Sequence, residues 1–195
     1  MKQKDQPDIY HLADVDWNNY TLVELVTTQV CDQHCSYCYW NPVEFLEEGL
    51  RTPGRKNMKP IVTKRFNKIL DFIDAQQTDD VEFGFYGGEP TMHPYISQFI
   101  DMVVDRFGDR LKHLGMFSNM SKRPLKFFKD LPDCMRIVGS LHTEEEPKPW
   151  EWMDKVVEIS KDSNKIEEIR LILTLINKPL IVTGKQQFSC NLEDL

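Results

Sequence analysis

The chain has no surplus of positive charge, no long apolar run and few cysteines. Its 195 residues carry 24 lysines and arginines against 31 aspartates and glutamates, a net charge of −7. No basic surface is on offer to a phosphate backbone, which argues against nucleic acid as a partner. The first thirty residues hold no apolar stretch of signal-peptide length, and no later segment approaches the roughly 20 apolar residues of a membrane span. No internal repeat or low-complexity tract divides the chain, and its length suits one domain with a real core. The expectation is a globular protein of the cytoplasm, with no membrane partner. In that compartment thiols stay reduced, and clustered cysteines more often mean metal than disulfide.

Three of the five cysteines fall within eight positions, in "VCDQHCSYCYW" (30–40), as Cys31, Cys35 and Cys38. Cys134 and Cys190 stand alone, and Cys134 reads as a small buried hydrophobe. The spacing is Cys-x3-Cys-x2-Cys. A structural zinc site normally has four ligands, so a fourth would come from His34, Cys134 or Cys190. A cubane iron–sulfur cluster has four irons, and three thiolates leave one of them open to a substrate. Read together with the strand that precedes it, the spacing favours the cluster over zinc.

Around this loop, strand and helix signals alternate. "TLVELVTTQV" (21–30), "VEFGFY" (81–86), "LKHLGMF" (111–117), "MRIVGSLH" (135–142) and "EIRLILTLI" (168–176) read as buried strands. Between them, 62–75, 95–107, 124–131 and 150–161 carry apolar residues at helical spacing, with Thr63 as an N-cap and Pro124 in a first helical turn. Such alternation implies a parallel sheet with helical crossovers, whose ligands bind at the carboxyl ends of the strands. The unusual residues cluster there: the cysteines after the first strand, "GGEP" (87–90) after the second, Ser118-Asn119 after the third, and Ser140 and His142 at the end of the fourth. His34 reads as filler, His93 as a surface residue, and Glu144–Glu146 as a solvated approach to a helix.

"CDQHCSYC" resembles the cluster motif of the radical S-adenosylmethionine (radical SAM) enzymes, with an aromatic, Tyr37, before the third cysteine. "FYGGEPTMHP" (85–94) resembles that family's second hallmark, and the likeness spans roughly residues 21–176. The resemblance implies a partial (β/α) barrel in which Cys31, Cys35 and Cys38 hold a 4Fe–4S cluster. S-adenosylmethionine would chelate the open iron and be cleaved reductively to a 5′-deoxyadenosyl radical that abstracts a substrate hydrogen. Gly87, Gly88 and Glu89 would receive the methionine ammonium, and Pro90 would fix the turn. Tyr37 would lie near the adenine, and Ser118, Asn119, Ser140 and His142 near the carboxylate and ribose. The implied partners are a reductant such as flavodoxin or ferredoxin and an unidentified small-molecule or peptide substrate.

The sequence departs from the family after the fifth strand. A sixth parallel strand needs a crossover of a dozen or more residues, but only Asn177-Lys178-Pro179 separate Ile176 from "LIVTG" (180–184). The expected architecture is a shortened barrel of about five parallel strands and four principal helices, within a lead-in (1–20), a core (21–176) and a short tail (177–195). Leu180 to Val182 would return antiparallel, with Asn177-Lys178-Pro179 making the turn, or a partner chain would cover the open edge. A minimal enzyme, one part of a complex and a truncated product all fit this ending. The alternative function is a non-catalytic iron–sulfur electron carrier or a degenerate radical-SAM-like subunit.

Overall fold

The computed structural model describes residues 19–35, 38, 61–161, 164–175 and 178–185. Expectations placed on Tyr37, on 39–60, on Cys190 and on most of the lead-in lie outside these residues. Strand β1 (Tyr20–Thr28) is followed by helix α1 (Thr63–Asp74), β2 (Asp80–Gly87), α2 (Ile96–Phe107), β3 (Leu111–Ser118), α3 (Leu125–Lys129), β4 (Met135–His142), α4 (Pro149–Ser160), β5 (Ile166–Leu175) and β6 (Lys178–Lys185). The strands form one sheet in sequential order; β1 to β5 pair in parallel, and β6 pairs antiparallel to β5. The expected five parallel strands and four helices are observed, in an open sheet. None of the described helices is long and apolar enough to cross a membrane.

Strand periodicity sorts the two faces of the sheet. Val81, Phe83 and Phe85 alternate along β2 and are fully buried, as are Leu114 and Met116 of β3 and Met135 and Ile137 of β4. They meet helical residues at three- and four-residue spacing: Phe66, Leu70 and Ile73 of α1, Ile96, Phe99, Ile100 and Val103 of α2, and Trp152, Val156 and Ile159 of α4. At the centre, Phe66 stacks on Phe99 with ring centroids 4.0 Å apart. Each such ring contributes about 1.5–3 kcal/mol by leaving water. The intervening strand residues, among them Glu82, Tyr86, His113, Phe117 and Arg170, turn to the other face and contact one another there.

Several local expectations are corrected. Val62, not Thr63, caps α1, and the Thr63 hydroxyl instead donates to Gln98 Oε1 at 3.1 Å. Pro124 is the N-cap of α3 rather than a residue of its first turn. Cys134 is exposed, because the inward place at the entry to β4 goes to Met135. His93 is fully buried rather than on the surface, its ring 4.8 Å from Phe99 and its Nδ1 accepting the Tyr95 N–H. Lys178 and Pro179 do not form the turn before β6; they already pair with Leu175 and Thr174, so only residues 176–177 connect the two strands. Pro179 stands in β6 at the edge of the described sheet, where the missing proline N–H is tolerated.

Because β6 pairs along most of β5, removing it bares a row of unpaired backbone groups on a β-prone strand. A chain ending at Asn177 is expected to self-associate with rising concentration, read by light scattering. A monomer with an unchanged urea midpoint would show that the five parallel strands hold without β6.

Candidate functional site

The site begins where β1 and β2 end. The Gly88 N–H donates to Thr28 O and the Glu89 N–H to Val30 O, both at 2.8 Å. This backbone contact is closer than any Cβ allows. A Cβ on Gly88 would stand 2.4 Å from Val30 O and 2.7 Å from the Gln29 carbonyl, and one on Gly87 would stand 2.1 Å from Thr28 O. Gly87 also has φ +135°, a left-handed conformation that L side chains rarely adopt. The glycines are therefore needed to seat the turn against the strand that leads into Cys31. With those two N–H groups committed to Thr28 and Val30, the turn has acceptors left to offer: carbonyls and the Glu89 carboxylate.

Glu89 is 1% exposed. Its Oε1 accepts the Thr91 N–H at 3.0 Å, the Thr91 hydroxyl at 2.5 Å and the Ser118 hydroxyl at 2.8 Å, and its Oε2 accepts the Asn119 N–H at 2.7 Å. Burial pushes its carboxyl above the usual range, and these four donors pull the other way without cancelling the burial. A cation brought to Oε2 would favour the ionised form. Pro90 opens a short 3-10 turn, Pro90–Met92, for which Glu89 is the N-cap.

The cysteine loop crosses the ends of the strands. Cys35 Sγ lies 3.5 Å from His142 Nδ1, although β1 and β4 are three strand spacings, about 14 Å, apart in the sheet. Asn119 Nδ2 points at Cys31 Sγ from 3.7 Å, and the Gln33 N–H from 3.5 Å. Cys38 N–H donates to Cys35 O at 3.1 Å, closing a turn in the loop. His142 Nε2 meets Ser140 Oγ at 2.9 Å, and burial lowers the pKa of this histidine, favouring a neutral ring.

These residues share one cavity of about 270 Å³, lined by Cys31, Gln33, Cys35, Cys38, Tyr86, Gly87, Gly88, Glu89, Phe117, Ser118, Asn119, Ser140 and His142. Of the residues expected from sequence, Pro90 sits buried just behind this wall, and Tyr37 lies outside the described residues. Exposed Cys134 enters β4 at the end opposite His142, about 26 Å away along eight extended residues. It therefore does not join the three cysteines. Among the described residues, no three His, Cys, Asp or Glu side chains are gathered to hold a single metal ion. A cubane cluster asks for something else: separate thiolates, one per iron, with N–H donors near the sulfurs. The donor set fits it.

Tyr86, Phe117 and Gln33 were not expected in the wall. Tyr86 and Phe117 stack at 4.5 Å, and the Arg170 guanidinium lies 4.6 Å over Phe117. Burial and then Glu24 push the Tyr86 hydroxyl up to about 12. The period of two could have found this pair: with Phe83 and Phe85 facing the helices, Tyr86 faces away from them.

The sequence matches no protein-family model and no curated protein. Among solved structures, BtrN, crystallised in complex with AdoMet and 2-DOIA, superposes with a TM-score of 0.58 at 14% identity, over 77% of this chain and 56% of BtrN. The described fold is a partial barrel of the radical SAM type. The chain spans little more than half the length of BtrN. SuiB of Streptococcus suis, solved bound to the precursor peptide SuiA, reaches a TM-score of 0.47 at 16% identity over 78% of this chain and 32% of SuiB, and adds nothing to that assignment.

In this radical SAM-type barrel, the glycine turn and the buried carboxylate give two predictions. Gly88→Ala drives a Cβ into Gln29 and Val30 and is expected to cost about 1–3 kcal/mol in urea unfolding; an unchanged midpoint would refute the close approach. For Glu89, the folded chain keeps its proton to higher pH than the unfolded chain. The stability this adds is full below the ordinary carboxyl value and falls as pH rises through the folded one. The stability difference between the native chain and Glu89→Gln should therefore fall as pH rises above the ordinary carboxyl range. A difference that is flat or grows with pH would contradict it.

Proposed function

We propose that the chain is a radical SAM enzyme. The observation that carries this reading is the convergence of Cys31, Cys35, Cys38, Gly87–Glu89, Ser118, Asn119, Ser140 and His142 on one cavity at the carboxyl ends of parallel strands. Cys31, Cys35 and Cys38 would hold three irons of a 4Fe–4S cluster. When bound, cluster and S-adenosylmethionine supply a one-electron cleavage whose products are methionine and a 5′-deoxyadenosyl radical able to abstract a substrate hydrogen.

The remaining work falls to the chain. The carbonyls of Gly87 and Gly88, with Glu89 Oε2, would receive the methionine ammonium through charge-assisted hydrogen bonds. Pro90 holds that turn in place. Ser118, Asn119, Ser140 and neutral His142 offer short polar groups to the carboxylate and ribose, with Tyr37 assigned to the adenine. The Tyr86–Phe117 pair would give the cavity an apolar wall that limits water. A flavodoxin- or ferredoxin-like protein would supply the electron in the cytoplasm, and the substrate would be a small molecule or a peptide.

A second reading, a non-catalytic iron–sulfur carrier or degenerate subunit, is favoured by one feature. The parallel run stops at β5, where β6 turns back antiparallel. Anaerobic reconstitution separates the two. The enzyme reading expects about four irons per chain, lost in Cys31→Ala, Cys35→Ala or Cys38→Ala and kept in Cys134→Ala, and 5′-deoxyadenosine formed from S-adenosylmethionine under dithionite. Iron without 5′-deoxyadenosine would leave the carrier reading, and stoichiometric zinc without iron uptake would refute both.

A further inference from the structure

We infer that Asp32 is a positioning residue that latches the cysteine loop onto the loop following β3, and through it sets how tightly and at what potential the cluster is held. The cluster consequences rest on the function proposed above; the latch itself does not. Asp32 directly follows Cys31, and its two carboxylate oxygens are used separately. Oδ1 accepts Asn119 Nδ2–H at 3.0 Å, and Oδ2 accepts the Ser121 hydroxyl, from residues 87 and 89 positions further along the chain. The amide that bonds Asp32 also lies 3.7 Å from Cys31 Sγ. One side chain thus reads both the latch and the thiol.

The receiving loop is a fixed anchor. Buried Trp152 Nε1–H donates to Asn119 O at 2.6 Å. The Lys155 ammonium donates to Met120 O at 2.6 Å and Arg123 O at 3.2 Å. Ser121 N–H closes back on Asn119 Oδ1 at 3.0 Å, which orients the amide so that its Nδ2 faces Asp32 and Cys31. Met120 N–H donates to Ser118 Oγ at 2.9 Å, and Met120 adopts a φ of 56°. A loop tied to α4 at two residues transmits rigidity to whatever docks on it, and Asp32 docks the first ligand of the cluster loop. The carboxylate also sets a negative charge beside one sulfur. Charge and hydrogen bonds near the sulfurs are what tune cluster potentials.

The test uses the full chain and three variants. Asp32→Ala removes both bonds, Asp32→Asn keeps the shape without the charge, and Ser121→Ala removes one partner. In iron-free protein, amide exchange at residues 31–35 should be faster in Asp32→Ala than in the native chain, with global urea stability held as the control. After reconstitution, iron loss to bathophenanthroline should be about 10–100-fold faster in Asp32→Ala and less affected in Ser121→Ala. The midpoint potential of the Asp32→Asn cluster, followed by electron paramagnetic resonance, should be more positive than native. Native exchange in iron-free Asp32→Ala overturns the latch. A native chain that takes up no iron overturns the proposed function instead, and the exchange result then decides the latch by itself. Native iron loss in Asp32→Ala together with a native potential in Asp32→Asn overturns the cluster role.

Discussion

The whole site depends on one backbone contact, the pair of hydrogen bonds from Gly88 and Glu89 to Thr28 and Val30. It prolongs the β1–β2 ladder past the point where both strands become loops. The register shifts between Val26 and Thr28, so the end of β1 is already irregular when it meets the turn. Irregularities of this kind re-aim the chain beside sites. Here the re-aimed chain is the segment entering Cys31, and the turn that receives it must lack Cβ atoms at two successive positions. Glycine is thus required for packing between two strand ends as well as for an acceptor-rich turn facing the cavity.

Burial of Glu89 follows from the same contact. Once the turn is pressed onto β1, the next side chain has nowhere to go but the interior, where it meets donors from its own turn and from the end of β3. A carboxylate in that place is costly, and four donors offset part of that cost while binding the ends of β2 and β3 together. The residue that resembles a ligand contact is also the cross-brace of the wall it stands in. A substitution there acts on structure as well as on the proposed cofactor contact, which is why its pH signature, rather than its activity, is the informative readout.

Much of this was legible in the sequence. β4 runs over Met135–His142 as its apolar alternation indicates, and the strand and helix order follows from period alone. The convergence of cysteines, glycine turn and strand-end polar residues was legible because parallel strands place their carboxyl ends together. What escaped was set by tertiary partners. Asp32 has no pattern of its own; its meaning lies in Asn119 and Ser121, far along the chain. His93 precedes a proline like many surface turns, yet Phe99 and Tyr95 enclose it. Cys134 reads as a hydrophobe but falls one residue short of the strand, on the solvated side of the turn.

The two faces of the sheet divide the work between them, and the division explains where new chemistry could be written. Residues facing the helices are large, apolar and tightly enclosed, so changes there cost stability first. The opposite face carries Glu82, His113, Tyr86, Phe117, Glu167 and Arg170, polar or aromatic groups that contact one another across strands. Arg170 over Phe117, and Phe117 against Tyr86, run a single stack from β5 to β2 beneath the cysteine loop. Because a strand alternates its side chains, substitutions at Tyr86 and Phe117 can reshape the cavity wall while leaving the helix-facing core as it is. The division stops at the strand ends, where Ser118 shares the parity of Leu114 and Met116 and yet stands in the cavity wall as a partner of Glu89.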